Sequence, residues 1–196
     1  MSRSALLSMD VQLNHIAHVP DGYLPDAVRA LETARTAEVT VIHVALRLRP
    51  GHLDVHPADK IFGALPFHLF TADDPGAAIH PDLAPRGDEI VVHKNRVSAF
   101  AGNDLRQILT AQGIDHLVLA GIATSGVVLS TALEAADLDY RVTVLSDACA
   151  DRDPDLHTTL LTQVLDRRCE VMTTSGWADT LTTSVRRTAG PQGRSA

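Results

Sequence analysis

Three short stretches of this chain carry residue types that can do chemistry. SMDVQ at 8–12 ends an apolar run with a carboxylate, Asp10, and VHKNR at 92–96 ends another with an ammonium, Lys94. GIATSGVVLST at 121–131 is a glycine-bearing turn that leaves an apolar strand and enters a helical pattern. In an open α/β sheet, ligands bind beyond the carboxyl ends of the strands, where the N–H groups that start the next helix favour negative charge. A carboxylate and an ammonium beside such a turn suit hydrolysis or proton transfer on a small molecule. The turn has no thiol. Its hydroxyls, Thr124, Ser125 and Ser130, read as helix-capping groups, since no adjacent histidine is placed to activate them.

Asp10, Lys94 and the turn can act together only if the strands that deliver them share one sheet edge. Short β-branched runs alternate with longer segments of helical period, the pattern of a parallel sheet covered on both faces. Six strands are expected, at Ala5 to Met9, Val39 to Ala45, Glu89 to His93, His116 to Ala120, Arg141 to Leu145 and Glu170 to Thr174. Helices are expected at Pro25 to Glu38, Asp104 to Gln112, Ser125 to Leu138 and Pro154 to Arg168, with Asn103 and Asp153 as N-caps and Gly113 as a C-terminal stop. The fold class is therefore a Rossmann-like three-layer α/β/α sandwich, one domain over 1–180, with a flexible tail at 181–196. The Pro-, Gly- and His-rich stretch 47–88 is too long for a structureless connection and is expected to cover the carboxyl edge of the sheet.

Composition narrows the partners. With 17 basic against 24 acidic residues the net charge is −7, which argues against tracking nucleic-acid phosphates. No apolar run is long enough for a membrane span, and the run at 5–9 is too short for a signal-peptide core. Two cysteines, Cys149 and Cys169, have neither zinc-ligand spacing nor disulfide density. These features predict a cytoplasmic protein that takes a small-molecule substrate and no nucleic acid or membrane partner.

ALLSMDVQ at 5–12, VHKNRVSAF at 92–100, the block GIDHLVLAGIATSGVVLSTALEAADLDYRVTVLSDACA at 113–150 and VMTTSGW at 171–177 resemble the isochorismatase-like hydrolases. The resemblance implies a six-stranded parallel sheet between helices and assembly into homodimers or larger homo-oligomers. It also implies a catalytic Asp, Lys and Cys, which fall here on Asp10, Lys94 and, in place of the Cys, Val127. A non-proline cis peptide of the family maps to Ile122 and Ala123, and this turn, with Thr124 and Gly126, is expected to bind an oxyanion through its N–H groups. Gln12 and Phe100 are assigned to the substrate pocket.

A valine cannot form a thioester, so the expected reaction is hydrolysis of a vinyl ether or a C–N bond by Asp10 and Lys94 without a cysteine nucleophile. As an acid, Asp10 would need desolvation, because an ordinary aspartate is only about 0.1% protonated at pH 7. The alternative is a degenerate relative that binds a small molecule or serves as an oligomeric partner without turnover. Cys149, just beyond strand five and one strand from the turn, is a weak candidate for a substitute nucleophile, Cys169 reads as a packed core thiol, and His43, His93 and His157 read as structural. GHLDVHP at 51–57 looks like the metal segment of nicotinamidase-like members, with Asp54, His56 and His52 or His68 as ligands. Yet it follows an RPG turn typical of non-metal members, so no metal or other cofactor is assigned. Phe62, Phe67 and Phe70 join Phe100 as loop anchors or pocket lining, and Arg47 or Arg96 as a partner for a substrate carboxylate.

Overall fold

The computed structural model describes residues 3–188. Six parallel strands, β1 (Arg3–Met9), β2 (Thr40–Leu46), β3 (Ile90–Lys94), β4 (Ile114–Ile122), β5 (Arg141–Ala150) and β6 (Glu170–Met172), form one sheet in the order β3-β2-β1-β4-β5-β6. The chain winds outward from β1 in one direction and from β4 in the other. The switch point therefore lies between β1 and β4, the place where such sheets open a crevice.

Both faces are covered, which is why β1 reads as an unbroken apolar run. Ala5, Leu7 and Met9 enter one core with Leu105 and Leu109 of α3 (Leu105–Ala111) and Ala132 and Ala135 of α4 (Leu129–Asp137). Leu6 enters the other with Ala27, Ala30 and Leu31 of α2 (Tyr23–Thr36) and Trp177 of α6 (Thr174–Thr188). A four-residue α1 (Leu13–Ile16) follows β1, and α5 (Pro154–Thr159) follows β5.

Local signals act as read. Asp153 accepts from the N–H groups of Asp155 and Leu156, Asn103 accepts from that of Leu105, and Gly113 takes φ +64° after α3. At Gly121 a Cβ would lie 2.2 Å from the Met9 carbonyl oxygen, so only glycine lets β4 approach β1 this closely at the switch point.

Two expectations need correction. The helix expected at Pro154 to Arg168 is α-helical only to Thr159 and continues as a wider π turn (Leu160–Val164) and a 3-10 turn. Thr158 and Thr162 donate to carbonyls four residues back, contacts that bend helices. The expected tail from 181 is helical as far as Thr188, held at its start by buried Trp177; the rest of that expectation lies outside the described residues. Segment 47–88 holds short 3-10 turns and a small core of its own, in which Leu48, Phe62 and Phe70 pack with Leu46. Among the described residues no helix is long and apolar enough to cross a membrane.

One ion-pair network ties α2 to β2 and to the start of β3. Glu89 receives two hydrogen bonds from Arg35 at 2.8 and 2.9 Å, lies 2.9 Å from His43 Nε2 and accepts from the Arg86 N–H. Burial pushes the Glu89 carboxyl up, but Arg35, His43 and Arg86 outweigh it and hold it at about 2, below its ordinary 4.5. Its depressed value adds stability that is fully present above pH 4.5 and is lost as pH falls toward 2. Glu89→Gln should cost about 1–2 kcal/mol at pH 7, or roughly 2–8 °C in Tm. It should also flatten the acid loss between those two pH values; an unchanged acid slope in pH-dependent thermal unfolding would refute the assignment.

Candidate active site

Asp10 and Lys94 meet. Lys94 Nζ lies 2.7 Å from Asp10 Oδ2, and the two side chains are only 2% and 6% exposed, respectively. They come from strands separated by β2, roughly 10 Å apart at ~4.8 Å per strand. The lysine stem crosses the end of β2, and Asp10, in the left-handed region at φ 55°, leaves the line of β1 while its N–H bonds to the Val44 carbonyl at 2.8 Å. A second ammonium hydrogen goes to the Arg96 carbonyl at 3.0 Å. Asp10 Oδ1 is buried and has no hydrogen-bond partner among the described residues.

The turn after β4 stands on the neighbouring strand. The Ile122–Ala123 peptide is cis, and Thr124–Val128 form a single π turn leading into α4. Several of its N–H groups are already engaged: that of Ser125 by Asp151 Oδ2 at 2.7 Å, and those of Gly126 and Val128 by the Ala123 carbonyl. The Gly126 N–H, expected to bind an oxyanion, is thus already bonded within the turn. Asp151 is held below the usual carboxylate range; burial pushes it up, but the Ser125 hydroxyl and N–H prevail. Val127, at the thiol's expected position, is buried in the α3/α4 core.

Other expected site residues are placed differently. Gln12 is not free to bind substrate: its amide donates to the carbonyls of Leu46 and Ala77 and accepts from the Leu46 N–H. Phe100 stacks against Tyr140 at 6.0 Å in a groove between α3 and α4, not beside Asp10. Arg96 donates to the carbonyls of Asn95 and Asp54, and Arg47 is exposed. Phe62 and Phe70 anchor the loop, whereas Phe67 is 71% exposed.

Cys149 donates weakly to the Leu119 carbonyl at 3.7 Å, and burial raises its thiol to about 12, which makes it inert at neutral pH. Burial also raises Cys169. Asp54 accepts from the Arg49 N–H, His56 from the Ala58 N–H, and His52 Nε2 lies 2.9 Å from the Leu69 carbonyl. Among the described residues no three His, Cys, Asp or Glu side chains gather as a metal-ligand group.

Two histidines belong nearer the site than the sequence suggests. His157 Nδ1 lies 2.7 Å from Thr124 Oγ1, correcting the expectation that no histidine adjoins the turn's hydroxyls. Burial lowers His157, against Asp151 and the Ser146 backbone. Thr124 is fully buried, so the pair fixes the turn rather than presenting a nucleophile. His15, on α1, stacks on Phe70 with ring centres 4.7 Å apart, and its buried Nδ1 has no partner among the described residues. The only available signal for it was its spacing of five residues from Asp10.

Residues 4–176 match a family model described as Isochorismatase domain. The chain is 30% identical to a maleamate amidohydrolase of Pseudomonas putida, over 87% of this chain and 83% of that protein. It is 27% identical to a probable inactive nicotinamidase of Arabidopsis thaliana, over 91% and 96%. Among solved structures it is similar to an isochorismatase family protein of Desulfovibrio vulgaris, with TM-score 0.84, 28% identity and coverage of 93% of this chain and 100% of that one.

A buried ion pair that loses one member leaves an uncompensated charge. Lys94→Met should therefore destabilise the protein by roughly 3–5 kcal/mol, and adding Asp10→Asn should recover more than half of that loss. Denaturant unfolding of the two singles and the double measures this; strictly additive losses would mean that the pair is not coupled.

Proposed function

The chain belongs to the isochorismatase family of hydrolases, and from that premise we propose that it cleaves a C–N bond in a small carboxamide or ureide without a cysteine nucleophile. The observation that carries this reading is the split state of the Asp10 carboxylate. One oxygen is bound to Lys94 and the other is buried with no partner, an arrangement that calls for a donor from outside the protein. A water donating to Oδ1 is that donor. Asp10 takes its proton as the water oxygen bonds to the substrate carbonyl carbon, and the proton then passes to the leaving nitrogen as the C–N bond breaks. Lys94 holds the other oxygen of Asp10 and, with turn amides at the start of α4, offsets the negative charge that develops on the carbonyl oxygen. Val127 contributes a dry wall and no electrons. The substrate class is supported by the 30% identical relative named as a maleamate amidohydrolase.

Binding without turnover is the second reading, favoured by the likeness to a relative named as probably inactive and by the missing thiol.

A product-detected screen of wild type against maleamate, N-carbamoyl compounds and isochorismate separates the two. The hydrolase reading expects turnover that falls by about 100-fold or more in folded Asp10→Asn. Val127→Ala should retain activity, and iodoacetamide at pH 7.5 should leave it intact because the Cys149 thiol, raised to about 12, stays protonated. No product from the folded wild type would favour binding alone, and cleavage of isochorismate alone would replace the C–N bond by a vinyl ether.

A further inference from the structure

The same end of the sheet holds a second buried acceptor that the reaction above does not use. His15 lies five residues after Asp10, on α1, and its ring is held flat against Phe70 with centroids 4.7 Å apart and planes inclined by 28°. Nδ1 of the ring is buried and has no partner among the described residues. Phe70 is itself fixed, because its N–H donates to Asp74 Oδ2 at 2.7 Å and the same oxygen accepts from Asn14 at 2.8 Å. The imidazole is thus held against a fixed Phe70, close enough to feel the charges of both Asp10 and Lys94.

The Nδ1 atoms of His43 and His52 are also buried without a partner among the described residues, but their Nε2 atoms are held by Glu89 and the Leu69 carbonyl. His15 differs in lying within electrostatic reach of both Asp10 and Lys94, where a phenyl ring would fill the same space at no polar cost. We infer that His15 is a further catalytic residue of this hydrolase, its Nδ1 accepting the second hydrogen of the attacking water whose first hydrogen is bound to Asp10 Oδ1. Held by both hydrogens, the water turns a lone pair toward the carbonyl carbon. As the C–N bond breaks, the proton on Asp10 goes to the leaving nitrogen. The proton left on the new carboxyl group passes to His15, which releases it to solvent, so the products are a carboxylate, a neutral amine and one proton.

Burial lowers the imidazole from its ordinary value; Asp10 and its backbone oppose this, and Lys94 and His18 add to it. His15 is therefore neutral and able to accept at pH 7.

This inference rests on the hydrolase reading, and its test separates the two. His15→Phe keeps the stack on Phe70 and removes only the nitrogens. It should lower kcat/KM by roughly 100-fold or more while leaving Tm unchanged or raised. In wild type, kcat/KM should fall with decreasing pH through a limb below 6.5, the ordinary histidine value, and that limb should vanish in His15→Phe. His15→Asn, which restores an acceptor, should regain about tenfold over the phenylalanine variant. If wild type turns over, Asp10→Asn does not, and His15→Phe stays within about threefold of wild type, the role of His15 is overturned and the hydrolase reading stands. An acid limb with an unchanged midpoint in the phenylalanine variant would overturn it equally. Absence of turnover in wild type overturns both.

Discussion

The arrangement at the carboxyl end of the sheet depends on a buried ion pair between strands that are not neighbours. Removing a carboxylate and an ammonium from water costs several kcal/mol per ion, and attraction repays this only when the geometry is tight and the remaining donors and acceptors are met. Lys94 satisfies the condition with Asp10 at 2.7 Å and the Arg96 carbonyl at 3.0 Å. Asp10 does so only in part, because Oδ1 has no partner among the described residues. The incomplete half of the pair is the side left to a further donor.

The surrounding structure keeps that half dry and in place. Gln12 bonds to both the N–H and the carbonyl of Leu46, so its side chain continues the pairing of β1 with β2 beyond the point where Asp10 turns away. Its third bond, to Ala77, draws segment 47–88 across the strand ends. Asn14, Asp74 and Phe70 fasten the same segment to α1. Covering the sheet edge and sealing the ion pair are therefore one act of packing, and the segment serves the site although none of its side chains bonds to Asp10 or Lys94 among the contacts described.

How much of this was legible follows from the range of each interaction. Asp10, Lys94 and the turn at 121–131 could be found because each sits where an apolar run stops, a local signal, and parallel strands bring such stops to one edge. Gln12 was misassigned to the pocket because its partners lie 34 and 65 residues away, and no pattern near position 12 reveals that its amide is already engaged. His15 was overlooked because α1 has only four residues, too few for a helical period. The stretch after β6 is rich in Thr and Ser, weak helix formers, and α6 depends on the burial of Trp177 against the sheet, a tertiary effect. Phe100 was grouped with the other phenylalanines as apolar pocket lining, whereas the loop after β3 turns back so that the Ala99 N–H bonds to Thr131 on α4. That turn delivers Phe100 to the α3/α4 groove.

The valine in the turn is more than a missing thiol. Val127 is 2% exposed and packs with residues from α3, α4 and the strands, so its methyl groups fill the position as part of the core. With valine, the core at this position stays apolar. Lower polarity strengthens each remaining electrostatic contact and raises the cost of leaving Asp10 Oδ1 without a donor. On the reading proposed above, a position without a thiol leaves Asp10 Oδ1 to a donor from outside the protein, and water is the smallest that can meet it.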